Sequence, residues 1–296
     1  MNILQLINQA SAEMALVQTS SVVSSTSADT IQLLALANAL GGELSAGYDW
    51  QPIQTEYRFY TVATTLNCTL VAGSTTITLP SAQALDATYT VIGTGINQDT
   101  YVTSTSVGTT VTLNQNSTVS GTFAITFSKT KYALPSSYDR LVSKTQWDKT
   151  RHWEMIPTTA QQWQFLKSGF ISSGVRVRFR LLGGFFQVWP SLPNNEYLGF
   201  EYISNQWVFD VNSNSKSSFF ADTDTCIFSD RLMILGIKLK YFEIKGFDTT
   251  AMMRDYQEHL NVAKVRDKGA PNLNMGNLLD TTLIGYNNVP DSNYGS

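Results

Sequence analysis

Apolar residues recur at three- and four-residue steps from the first residues onward. Ile3, Leu6, Ile7, Ala10, Met14 and Val17 form one stripe, which predicts an amphipathic helix over residues 2–17. A Ser/Thr-rich linker follows, and a second helix is expected from about Asp29, with Ser27 or Asp29 as its N-cap. Its apolar positions include Ile31, Leu34, Leu36 and Leu40. Gly41-Gly42 could end it, or it could continue to Gly47. Two helices this close in sequence are expected to pair as an antiparallel hairpin. From Gln54 to Tyr60 the period drops to two, as in a strand.

Residues 61–127 are dominated by Thr, Ser, Val and Gly, and their only charged side chains are Asp86 and Asp99. Short alternating runs at 75–79, 89–92, 101–103, 110–113 and 123–127 are separated by Gly and Pro, which predicts a small all-β sandwich or barrel inserted into the chain. Residues 128–245 read as mixed. Residues 175–180 alternate strictly, placing Arg176, Arg178 and Arg180 on one face, and Gly183-Gly184 signals a hairpin turn to the next run. Residues 231–243 are read as helical.

A last helix is expected over 249–267, with Asp248 as its cap and Met252, Tyr256, Leu260 and Ala263 as its stripe. Gly269 and Pro271 would stop it. The tail, 271–296, is polar yet carries Leu273, Leu278, Leu279, Leu283 and Ile284, a pattern that suits ordering on a partner. The expected fold class is α+β. The N-terminal helix pair and the C-terminal helices would form a helical bundle (1–60 and 128–270) with a β-sheet region, and 61–127 would be a separate β-domain.

Composition narrows the function. Charged residues make up 15% of the 296 residues and aromatics 11%, the profile of a chain with a core rather than of a disordered one. A net charge of −3 argues against salt-dependent gripping of a phosphate backbone. Cys68 and Cys226 are too few for a disulfide framework or a Cys-based zinc site. The N-terminus lacks the basic cluster and apolar core of a signal peptide, and no apolar run approaches the roughly 20 residues that span a bilayer. Synthesis in a cytoplasm is therefore expected, with no membrane partner.

Candidate chemistry is sparse. His152 could act as a base oriented by Asp148, but no activated nucleophile accompanies it. His259 has Asp255 one turn back for simple pairing. Asp222-Thr223-Asp224 begins like a calcium loop without the Gly and distal Glu such a loop needs, so a turn with carboxylates capping backbone N–H groups is preferred. Neither a phosphate-binding loop nor a nucleophile elbow is present. The arginine ladder reads either as cross-strand pairs with Glu196, Glu201 or Asp210, or as a basic stripe facing an acidic surface or passing DNA. The tryptophans read as core before they read as a sugar platform. No catalytic residue, metal or cofactor is expected.

Four stretches in order carry a family resemblance. They are Gly47-Tyr48-Asp49-Trp50-Gln51 leading to Thr55-Glu56-Tyr57-Arg58-Phe59; Tyr132 to Leu141 followed by Thr145-Gln146-Trp147-Asp148; Thr158 to Lys167; and Phe220 to Thr225 through Leu235-Gly236-Ile237-Lys238 to Lys245-Gly246-Phe247-Asp248. With them the chain resembles the head-to-tail adaptor (tail tubular protein A-like, or head-completion) proteins of short-tailed bacteriophages, and 61–127 departs from that pattern as an insertion.

The resemblance implies a non-enzymatic virion protein, assembled in the host cytoplasm, forming a ring of twelve copies. The ring would join the portal protein to the tail nozzle or tail tube and let DNA pass without specific binding. Tyr256, Leu260, Ala263 and the apolar tail residues would then contact the portal or a neighbouring subunit, and tail fibres could meet the insert. The alternative is a host-surface or glycan-binding decoration protein acting through 61–127.

Overall fold

The computed structural model describes residues 1–103, 106–169, 174 and 176–268. The expected stop at Gly269 and Pro271 and the tail residues Leu273, Leu278, Leu279, Leu283 and Ile284 lie outside the described residues. Helix α1 (Ile3–Glu13) opens on a capping box: Gln5 N–H donates to Asn2 Oδ1 at 2.9 Å, and Asn2 N–H donates to Gln5 Oε1 at 3.2 Å. Helix α2 (Ala28–Gly47) continues through Gly41 and Gly42. Both helices pack mainly on a later helix rather than on each other, so the expected hairpin is not the main contact.

Strand β1 (Gln54–Tyr60) leads into a lobe of β2 (Ala63–Leu70), β3 (Thr76–Leu85), β4 (Tyr89–Gly93), β5 (Ser106–Thr112) and β6 (Gly121–Lys129). These pair antiparallel in the order β4-β6-β2-β3-β5. Bridges from Tyr101 to Thr90 and from Val102 to Leu113 tie the two outer edges together, so the sheet curls towards a barrel. Alternate residues fill it: Cys68 and Leu70 from β2 and Ile125 and Phe127 from β6 are each at most 1% exposed.

Beyond the lobe come β7 (Lys131–Ala133), β8 (Tyr138–Leu141), β9 (Trp147–Asp148), β10 (Trp153–Glu154), β11 (Ile156–Pro157), α3 (Ala160–Lys167), β12 (Arg178–Leu182), β13 (Phe185–Trp189) and β14 (Tyr197–Ser204). One sheet runs β1-β14-β9-β10 with β8 also on β14; a second runs β11-β12-β13-β7. They share an aromatic core in which Phe186 stacks on Phe200 at 4.9 Å and on Phe179 at 5.0 Å. Gly183 and Gly184, at φ 61° and 77°, make the two-residue turn between β12 and β13 that only residues tolerant of positive φ permit.

The chain closes with β15 (Val208–Phe209), β16 (Ser215–Lys216), β17 (Thr225–Cys226), α4 (Asp230–Lys245) and α5 (Thr250–Lys268). The first three form a small sheet in the order β16-β15-β17. Gly246, at φ 78°, ends α4. Helices α1, α2 and α4 bury their stripes against Trp207, Val208, Phe219 and Phe228.

This overturns the expected helical bundle with a β-region and a small insert. Among the described residues there are five α-helices against 17 strands in four sheets, and the helices gather around one of several cores. The physical reason is strand length. Six of the strands are two residues long, too short to leave a period-two signal, and their pairing is decided by neighbours far away in sequence.

The lobe's ends meet, because Lys129 N–H donates to Val62 O at 2.8 Å. Deleting residues 63–127 and joining the ends through a short glycine linker is expected to leave the remainder folded, with its helical circular dichroism intact. A product without helical signal would show that the lobe is needed for the body to fold.

Candidate functional site

The last helix is the first candidate surface. Tyr256, Leu260 and Ala263 are half-buried against the chain's own helical core. Tyr48 ties α5 down further, its hydroxyl donating to Lys264 O at 3.1 Å. Yet none of the 19 residues of α5 is buried. Val262 and Val265 turn away from that contact and are 42% and 67% exposed; Ile244 and Phe247, at the corner between α4 and α5, are 59% and 62% exposed. The sequence stripe therefore identified the helix's inner side, and the apolar surface left open is the outer one.

The arginine ladder lies on the second sheet. Arg178 and Arg180 belong to β12, whereas Arg176 precedes it and is exposed. Cross-strand partners share a face, so Arg178 stands beside Trp189, and Arg180, Gln187 and Lys131 form one row. Among the described residues no carboxylate lies within ion-pair reach of the three arginines. The acids expected to answer them are engaged elsewhere: Glu196 pairs with Arg151, Glu201 accepts from Gln54, and Asp210 caps its own turn through Asn212 and Asn214.

On that face the lobe meets the body around a cleft of about 280 Å³. Its floor is Trp189, Trp163 and Tyr101, and the first two pack together with Leu166 of α3. The Trp163 Nε1–H is buried and has no hydrogen-bond partner among the described residues. Lys167 of α3 pairs with Asp99 of the lobe at 3.0 Å, clasping the two sides. Lys131 Nζ sits 5.3 Å from the centre of the Tyr101 ring; among the described residues no carboxylate lies within ion-pair reach of it, and Asp99 and Asp86 act on it only at longer range. Burial, with repulsion from Lys167, pushes its ammonium below the usual lysine range. None of these residues was singled out from sequence except the tryptophans, because the cleft joins four separate stretches of chain.

Asp148 and His152 do not come together as acid and base. Asp148 Oδ1 accepts from the N–H groups of Thr150 and Arg151, and His152 is exposed at φ 59°. Asp148 instead neighbours Glu196 across Arg151, a buried arrangement that sequence spacing did not reveal. Burial pushes the Glu196 carboxyl up against the opposing pull of Arg151. Trp147 and Trp153 lie on the adjoining strands, Trp153 being 43% exposed. His259 is exposed on α5.

The Asp222-Thr223-Asp224 turn caps backbone groups, as preferred from sequence. Asp222 accepts from Val22 and Val23 N–H and the Ser21 hydroxyl; Asp224 accepts from Phe220 and Ala221 N–H and from Lys216. Among the described residues no cluster of metal-ligating side chains is present, and no helix is long and apolar enough to cross a membrane. No known family model matches this sequence, and no curated protein matches it.

Proposed function

We propose that this chain is a structural subunit of a virion, a head-to-tail adaptor that assembles as a ring between the portal protein and the tail nozzle. The observation that carries the proposal is α5, a 19-residue helix with no buried residue whose outer side presents Val262 and Val265, with Ile244 and Phe247 also exposed at the corner that leads into it. Exposed apolar residues gathered on one element mark a surface that another protein covers. A ring supplies that cover through a neighbouring copy or the portal. The ordered motifs from Gly47 to Asp248 supply the family context. The lobe, with its own core, would stand at the ring's periphery, where tail fibres could reach it. DNA would pass through the ring without being specifically bound.

Changing Val262 and Val265 to Glu tests the reading. Both are exposed, so the monomer's urea midpoint should move by no more than about 0.5 kcal/mol equivalent. Mixed with portal protein and viewed by negative stain or sized by light scattering, the unaltered chain should form rings and the variant should remain monomeric. An unaltered chain that stays monomeric with portal present overturns the adaptor reading. A variant that assembles as well as the parent removes α5 from the interface.

A further inference from the structure

We propose that the cleft between the β-lobe and the body is a binding site for a single carboxylate-bearing sugar residue, with Lys131 as the group that receives the carboxylate. The inference is independent of the adaptor reading, since it uses none of the α5 surface.

Charge sets the sign of the ligand. The cleft holds Lys131, Lys167 and Asp99, and the last two are already paired at 3.0 Å. One positive charge is left over. Lys131 has lost part of its hydration to burial; Asp99 and Asp86 act on it only from beyond ion-pair reach, and its near neighbour is the face of Tyr101. A singly charged carboxylate restores what the ammonium lacks, whereas a dianionic phosphate would bring its second charge towards Asp99. Arg180, two strands along the same cross-strand row, keeps the surroundings of the opening positive.

Shape and polar chemistry set the class. A volume of about 280 Å³ lies at the small end of ligand pockets, enough for one ring and too little for a length of nucleic-acid duplex. Tyr101 and the exposed margin of Trp189, which is 8% exposed and backed by the buried Trp163, give one side an apolar aromatic wall against which the C–H groups of a pyranose can rest. The side chains of Asn97, Gln98 and Ser191 also line the cleft and make no hydrogen bond among the described residues. Amides and a hydroxyl that can both donate and accept suit a ring bearing several hydroxyls, and would not be needed for a purely apolar acid.

The test is titration of the full chain, followed by tryptophan fluorescence and calorimetry. The probes are a glucuronic-acid disaccharide, its neutral glucose counterpart, inorganic phosphate and a short DNA duplex. The acidic disaccharide should quench the tryptophans and bind about tenfold more tightly than the neutral one, the worth of one charge-assisted contact. Lys131→Gln should abolish that preference, and Lys131→Arg should keep it. Should Lys131→Gln fail to fold, the exposed pair Asn97→Ala and Gln98→Ala should weaken the acidic disaccharide instead. Equal affinity for the two disaccharides, no binding of the acidic one, tighter binding of phosphate or DNA, or a preference that survives Lys131→Gln would each overturn the proposal.

Discussion

A chain carrying Gly41→Ala is expected to unfold at a markedly lower urea concentration, having lost about 3 kcal/mol of stability. The new methyl group would stand 2.0 Å from Cη2 of Trp207 and 2.3 Å from two further ring carbons. The indole has nowhere to slide. It is 1% exposed, with Phe219 at 5.1 Å and Phe228 at 5.7 Å against it, and close-packed interiors give way only by moving several groups together. Gly42, the next residue on the same helix, provides the control. Nothing lies within 4 Å of a Cβ there, so Gly42→Ala should raise stability by about 0.5–1 kcal/mol by reducing the freedom of the unfolded chain. Identical midpoints for the two variants would mean that the indole is not seated on α2.

Asp224→Ala should cost a similar amount, about 3 kcal/mol. Asp224 is fully buried, and its carboxylate takes N–H groups from Phe220 at 2.8 Å and Ala221 at 2.9 Å together with Lys216 Nζ at 2.8 Å. Its backbone carbonyl also accepts from Ile3 N–H at 2.8 Å, so the turn fixes the start of α1. Truncation leaves two N–H groups without an acceptor, while the partly exposed Lys216 can return to water. Asp224→Asn should cost less, because the amide oxygen still accepts.

The same turn makes stability depend on acid. Burial by itself would raise the Asp224 carboxyl, but Lys216 and the Phe220 and Ala221 N–H groups outweigh it and hold the group below its ordinary range. Asp222 behaves alike: burial raises it, and Ser21 with the Val22 and Val23 N–H groups lowers it further than that. A depressed folded-state value means that the unfolded chain takes up the proton first. The stabilisation is therefore complete above the unfolded value, about 3.9, and is lost as pH falls through the folded one. The parent chain should weaken below about pH 4, and Asp224→Asn should show a shallower decline there while being less stable at neutral pH. Parallel declines for the two would show that this carboxylate does not contribute through its charge.

Long, strongly periodic segments were legible in the sequence. The stripe from Ile3 to Ala10, the strand at 54–60, the apolar run that becomes α4 and the closing helix all appear close to where they were expected. Gly183-Gly184 marked its hairpin because the turn needs two positive φ values and little else supplies them. The carboxylates of the 222–224 turn were legible for a similar reason, since their partners are mostly backbone groups nearby or at the chain's start. Strand β2, by contrast, is not among the runs read as strands: Leu66, Cys68 and Leu70 alternate with Asn67 and Thr69, but Ala63-Thr64-Thr65 before them carries no apolar pattern, and the whole segment becomes a strand by pairing with β6 over eight residues.

The candidate sites divide along the same line. That Tyr256, Leu260 and Ala263 share one side of a helix follows from spacing alone; that this side is already taken by the chain's own core does not, because spacing is blind to what a face meets. That the arginines alternate is visible in six letters, but their lack of carboxylate partners depends on where Glu196, Glu201 and Asp210 end up. What the sequence by itself determined was local: helix periods, turn chemistry and an uncharged Thr-rich stretch apart from its surroundings. The tertiary structure alone decided the balance of sheet over helix, the seating of Trp207 on Gly41 and the meeting of Lys131 with Tyr101 and Trp189. Those arrangements join residues tens to hundreds of positions apart, and only the free energy of mutual burial and pairing, summed over the folded whole, selects them.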